Sequence, residues 1–277
     1  MTQLLITDST SDLPHDYVRE HGIYVVPLNI HLGSTVYKDG VDIQPAELYH
    51  RLRHEDIFPQ TSQPSAGDFL ELYREMRPGD ECLVLCISSE LSGTCQSAQI
   101  AADMAAEEVA AEIHVFDSRS ASIGLGLQVM YARQCFAEGK DMAQTLSELA
   151  EVRRRMRILF VVDTLDYLAR GGRISQLSKR LGNLLQLKPL LHLDDGRIAL
   201  LDKVRTKPKA VQHMLNIFTK EAHRAQQVAV VHIDALEEGQ ALLQRVQEHY
   251  SGAVTLYQCG AVIGSHAGPG TVGLCWY

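Results

Sequence analysis

Glu81-Cys82-Leu83-Val84-Leu85-Cys86-Ile87-Ser88-Ser89-Glu90-Leu91-Ser92-Gly93-Thr94 decides the fold. The first seven residues are apolar almost throughout, as in a strand covered on both faces. A serine-rich loop follows, then a helical pattern with Ala98, Ala101, Ala102 and Ala105 on one side. Upstream the same order recurs. Leu4-Leu5-Ile6 leads through Thr7-Asp8-Ser9-Thr10-Ser11-Asp12 to a helix starting at Pro14 and ending before Gly22. Ile23 to Leu28 reads as a second strand, and Pro45 to Arg53 as a short helix after an irregular stretch. Downstream, Ile113-His114-Val115-Phe116 passes through Asp117-Ser118-Arg119-Ser120 into a helix carrying Leu127, Met130, Tyr131 and Gln134. Strands alternating with such helices predict βαβ units and a parallel sheet.

The second half has another character. Ile158 to Val162 is a strand, and Leu190 to Leu193 and Ile198 to Leu201 flank Asp194-Asp195-Gly196, a hairpin signal. Helices are expected over Lys207–Lys220 and Glu237–Tyr250, and strands over Val228–Ile233, Val254–Tyr257 and Val272–Tyr277. The fold class is therefore α/β: an N-terminal parallel-sheet βαβ domain over residues 1–157 and a C-terminal α+β domain over 158–277. The second sheet is expected to be mixed or antiparallel. The segment near 61–78 is assigned to the first domain but left free to pack with the second.

The chain has 277 residues, 45% hydrophobic and 22% charged, which excludes disorder. With 26 Lys plus Arg against 34 Asp plus Glu, it lacks the positive field that nucleic-acid binding needs. No apolar run approaches a membrane span, and the N-terminal residues do not resemble a signal peptide. The six cysteines are scattered without a CxxC pair and are expected to be reduced, so a cytoplasmic location is expected.

In a parallel sheet the loops carrying Ser9, Ser92 with Thr94, and Ser118 lie together at the carboxyl ends of the strands, where open α/β folds bind ligands. Each loop opens a helix, whose free N–H groups favour an anion. Serine and threonine are equally good helix caps, so each loop alone also reads as an N-cap. Gly93 lets backbone approach a ligand closely. Thr61-Ser62-Gln63-Pro64-Ser65 reads as a turn and N-cap before a helix beginning near Gly67. Gly264 to Gly270 reads as a tight turn, with His266 its only large side chain. The other histidines lack metal-ligand spacing, and no metal site is expected. Dinucleotide, P-loop and nucleophile-elbow motifs are absent.

Taken in order, Thr7–Leu13, Thr61–Ser65, Ile87–Ala98, Thr164–Ile174, Lys188-Pro189 and His266–Gly270 resemble the signature of the DegV family over essentially the whole chain. That resemblance implies two α/β lobes with one fatty acid between them. It further implies a non-enzyme: the fatty-acid-binding subunit of a bacterial fatty acid kinase, without catalytic residues or cofactor, carrying a long-chain fatty acid such as palmitate. Such a subunit presents the carboxylate to a separate kinase subunit and passes acyl-phosphate to an acyltransferase for phospholipid synthesis, with transient membrane contact. By motif, Thr61, Ser62 and Ser92 would hold the carboxylate, Gly93 and Thr94 would lie close by, and His266 would complete the cap. Ser9, Ser118 and Gly268 would belong to pocket loops, and Arg170 and Arg173 to a surface patch facing the kinase or phosphate. Arg170-Gly171-Gly172-Arg173 also reads as a helix-breaking turn with solvated charges. Arg153, Arg154, Arg155 and Arg157 read as a solvated helix end. Two other readings stand beside this one: an acyl hydrolase or transferase using Ser92 or Ser118 with His266, and a regulatory protein whose lipid is structural.

Overall fold

The computed structural model describes residues 2–174 and 187–277. The chain opens with strand β1 (Gln3–Asp8), helix α1 (His15–Glu20) and strand β2 (Ile23–Val26). Pro27 then interrupts the expected longer strand, since it has no N–H for a ladder. Strands β3 (Asn29–Leu32) and β4 (Thr35–Lys38) form a hairpin closed by Gly33-Ser34, with Gly33 at φ +61°. Helix α2 (Pro45–His54), strand β5 (Gln60–Ser62) and helix α3 (Ala66–Arg74) follow. Strand β6 (Glu81–Cys86), helix α4 (Thr94–Ala105), strand β7 (Glu112–Asp117) and helices α5 (Ile123–Ala137) and α6 (Met142–Arg155) complete this half. The second half contains strand β8 (Arg157–Val161), helix α7 (Asp166–Arg170), strands β9 (Lys188–Asp194) and β10 (Arg197–Val204), and helix α8 (Lys207–Glu221). Strand β11 (Val228–Ile233), helix α9 (Leu236–Gln247), strand β12 (Val254–Gln258), helix α10 (Ala261–Ala267) and strand β13 (Thr271–Trp276) end it.

The first sheet is parallel, in the order β2-β1-β6-β7. Its two faces explain the continuous apolar run of β6. Cys82, Val84 and Cys86 pack with Phe69, Tyr73 and the alanines of α4, while Leu83 and Leu85 pack with Leu125, Val129 and Leu149 of α5 and α6. Each fully buried aliphatic side chain contributes roughly 1.5–3 kcal/mol. The second sheet is mixed, in the order β10-β9-β8-β13-β11-β12, with only β11 and β12 parallel. Helices α8 and α9 cover one face through Met214, Phe218 and Leu242; the other face turns its Val231 and Ile233 toward Ile123 and Leu127 of α5. The β9–β10 turn has Asp195 at φ +46° and Gly196 at φ +81°, the left-handed pair that an Asp-Gly hairpin demands. The Gly196 carbonyl accepts a 2.9 Å hydrogen bond from Ser88 Oγ, tying the hairpin to the loop after β6.

The sequence reading misses a third sheet, β4-β3-β5, in the stretch taken as irregular. Residues 60–62 pair with β3, so Thr61 and Ser62 lie on a strand rather than in a turn. A second difference concerns His266. Gly264 to Ala267 belong to α10, and the tight turn is confined to Gly268 and Gly270, at φ +80° and +82°. His266 is thus held by a helix.

The arginines at the end of α6 are individually engaged. Arg153 lies 4.8 Å from the Phe116 ring centroid and donates to the Asp117 carbonyl at 2.9 Å. Arg154 pairs with Glu151, Arg157 with Glu221, and Arg155 lies over Tyr277. All six cysteines are free. Among the described residues no helix is long and apolar enough to cross a membrane, and no cluster of His, Cys, Asp or Glu side chains is arranged to hold a metal ion.

Candidate functional site

A cavity of about 870 Å³, counting its open mouth, lies against the face of the mixed sheet that α8 and α9 leave free. Leu28 and Ile87 line it from the first half of the chain, and Phe160, Ile198, Val231 and Ile233 from the second. Its polar residues include Thr61, Ser62, Ser92, Arg173 and His266.

Pairing with β3 aims Thr61. Thr61 stands opposite the fully buried Ile30 and shares its inward face, whereas Ser62 stands opposite Asn29. The Ser62 hydroxyl is accordingly engaged by Asn29 Nδ2 at 3.4 Å and His31 Nε2 at 2.9 Å. Thr61 Oγ1 lies 2.6 Å from His266 Nε2 on the last turn of α10. Burial, then the nearby Arg173 charge, pushes the His266 pKa down to about 4, so the ring is neutral at physiological pH. Its Nδ1 is buried without a partner. An orphaned acceptor costs less than an orphaned donor, so the ring proton belongs on Nε2, facing Thr61 Oγ1. That tautomer leaves the Thr61 hydroxyl proton free to point into the cavity.

Ser92 reaches the cavity from the loop after β6, with its Oγ 2.9 Å from Thr94 Oγ1. Helix α4 begins at the next residues with Gly93 as its N-cap, and no side chain caps its first-turn amides. A Cβ on Gly93 would sit 2.0 Å from Gln63 Oε1. The space above this glycine is thus filled by Gln63, which donates to Ser97 Oγ at 3.0 Å. A Cβ on Gly171 would meet His266 Nδ1 at 2.4 Å. Glycine there makes room for the imidazole.

Arg173 is not on an open surface patch. It is half-buried and lines the cavity, donating from Nε to the Leu91 carbonyl at 3.2 Å and from Nη1 to the Gly171 carbonyl at 2.5 Å. Burial lowers its pKa. Arg170 is exposed, 5.1 Å from the Phe58 ring centroid. Ser9, Gly93, Thr94, Ser118 and Gly268 do not line the cavity. Ser9 Oγ accepts from Leu28 N at 3.1 Å, Ser118 is fully buried against Ser120, and Gly268 makes room for the Tyr167 ring. Gln63, Ser122 and Cys259 line it without having been singled out from the sequence. Their chemistry carries no spacing signal. His266 is hydrogen-bonded to Thr61 and Ser92 to Thr94, so neither serine named as a nucleophile is paired with the imidazole.

Fold and site define an α/β protein with an apolar cavity capped by a Thr–His pair, a serine hydroxyl and a half-buried guanidinium. A family model described as an uncharacterised protein of the DegV family matches residues 3–277, and the chain belongs to that family. It is 36% identical to a DegV domain-containing protein of Halalkalibacterium halodurans, over 100% of this chain and 99% of the relative. Among solved structures, a fatty-acid-binding DegV family protein from Thermus thermophilus superposes with a TM-score of 0.90 at 37% identity, covering 100% of this chain and 99% of that one. A stearic-acid-binding protein from Eubacterium ventriosum gives a TM-score of 0.91 at 27% identity, covering 100% and 98%.

Proposed function

We propose that this protein binds one long-chain fatty acid, with the hydrocarbon tail in the apolar cavity and the carboxylate at Thr61, Ser92 and His266. One observation carries this reading: an almost wholly apolar cavity ends at the Thr61 and Ser92 hydroxyls, backed by the His266 imidazole and the half-buried Arg173. Burying about 14 methylenes is worth ~11 kcal/mol before ordering costs, enough for tight binding. A buried carboxylate needs partners, and the Thr61 and Ser92 hydroxyls at the cavity wall supply them. Arg173 adds a positive field while its guanidinium is partly committed to backbone carbonyls. One carboxylate oxygen is thereby left free of a bidentate clamp and open to chemistry. Fatty-acid binding by relatives of the same fold supports the ligand class.

The finer reading is a carrier role. The protein presents the carboxylate to a separate ATP-using kinase subunit in the cytoplasm, then carries acyl-phosphate toward an acyltransferase for phospholipid synthesis. Exposed Arg170, near the Arg173 end of the cavity in sequence, is the contact for that partner. The lobes correspond to residues 1–157 and 158–277. The test has two arms. Calorimetric titration of delipidated protein should show tight binding of palmitate and much weaker binding of its methyl ester; equal binding of both contradicts carboxylate recognition. Addition of a fatty acid kinase subunit and ATP should form acyl-phosphate only when this protein is present, and Arg170→Ala should reduce that rate without changing fatty-acid affinity.

A further inference from the structure

The turn before α10 is held by the first half of the chain through both of its backbone polarities. Asp12 Oδ1 accepts from Gly260 N at 2.9 Å, and Asp12 Oδ2 lies 2.5 Å from Ser122 Oγ. Asp12 adopts φ +52°, left-handed backbone that aims its half-buried side chain at this turn. The Asp39 carboxyl lies against the Ala261 and Val262 amides and the Ser9 hydroxyl. Tyr49 Oη donates to the Cys259 and Gly260 carbonyls at 2.7 and 2.9 Å. A Cβ on Gly260 would stand 2.7 Å from Asp12 Oδ1, so only glycine admits the carboxyl this close. Two turns along the same helix His266 meets Thr61, and Val262, Ile263 and Ala267 line the cavity. A seven-residue helix has too few internal bonds to fix its own position.

We infer that Asp12 and Asp39 together are positioning residues for His266: the two carboxyls, Asp12 bonded to the Gly260 amide and Asp39 beside those of Ala261 and Val262, set the helix that carries the imidazole in register with Thr61. Asp12 bonds to Ser122, which lines the cavity, so the same grip reaches the cavity wall from a second side. The consequence for fatty-acid binding rests on the function proposed above; the consequence for the imidazole does not.

The experiment follows the His266 ring by ¹⁵N NMR in ligand-free protein, with the signals assigned by His266→Gln, and measures palmitate affinity in parallel. In the wild type the ring should stay neutral down to about pH 5, with its proton on Nε2. In Asp12→Ala and Asp39→Ala the ring should titrate closer to the ordinary histidine value, and affinity should fall about tenfold. Asp12→Asn, which keeps an oxygen for Gly260 N, should restore both. An unchanged ring in the alanine variants, even with a lowered melting temperature, overturns the inference by reducing the pair to general stability. Should an alanine variant not fold, Asp39→Leu, which keeps the volume and removes both acceptor oxygens, is read by the same criterion. A wild type that binds no fatty acid overturns the proposed ligand alone, because the ring is observed without ligand.

Discussion

At the scale of single residues, geometry divides the hydroxyls into those that serve a ligand and those that serve the fold. Thr61 and Ser92 face the cavity, whereas Ser9 and Ser118 are occupied by backbone. Removing a donor to a charged group costs about 1.5–3 kcal/mol, so Thr61→Val and Ser92→Ala should each weaken fatty-acid affinity ten- to hundredfold, measured by calorimetry. Ser118→Ala should leave affinity unchanged. Asp12 gives a pH prediction of defined sign. Burial, only partly offset by Ser122 and the Gly260 amide, pushes its pKa up to about 8 from an ordinary 3.8; Asp39 and Cys259 also face it. Between those values the folded state holds a proton that the unfolded state releases, so this group makes stability fall as pH rises, by up to about 1.4 kcal/mol per unit. Asp39 and Asp8, pushed up to about 6, act in the same direction at lower pH. Denaturant melts at pH 6 and 8 should show that Asp12→Asn removes this share of the decline. An equal decline in wild type and variant would refute the assignment.

At the scale of elements, α10 and β5 build the cap from opposite halves of the chain, and α7 leaves them room. Gly171→Ala should displace the imidazole from Thr61 and lower affinity at least tenfold, with the fold retained by circular dichroism. Gly93→Ala is a milder change, because the atom in its way is the end of the flexible Gln63 side chain. Legibility in the sequence followed element length. β6 is apolar enough to announce itself, and Asp195-Gly196 specified its hairpin turn. β3, β4 and β5 were unreadable because they are three or four residues long, and half their side chains face outward and are polar, as Asn29, His31 and Ser62 are. The helix holding His266 was masked by Gly264, a poor helix former retained because a Cβ there would meet the Tyr49 ring at 2.3 Å. The clustering of Thr61, Ser92 and His266 came from the resemblance of spaced motifs, since no local pattern connects residues two hundred positions apart. Arg-Gly-Gly-Arg says nothing of which arginine turns inward, so Arg173, expected at the surface, stands at the cavity wall instead.

At the scale of the molecule, the cavity is lined by residues from both halves of the chain, and a ligand that fills it should stabilise the whole. At a free concentration one hundred times Kd, ligand adds about 2.7 kcal/mol, which for a chain of this size corresponds to a rise in Tm of roughly 5–10 °C. Palmitate should produce that shift in delipidated protein, and butyrate should not. The central claim is that one long acyl chain occupies this space. Native mass spectrometry of the purified protein, followed by analysis of its organic extract, tests it most directly. The account predicts one fatty acid per chain in the wild type, with the bound fraction sharply reduced in a Thr61→Val, Ser92→Ala double variant. A wild type carrying no lipid that takes none up on incubation, or a double variant retaining the full complement, would contradict it.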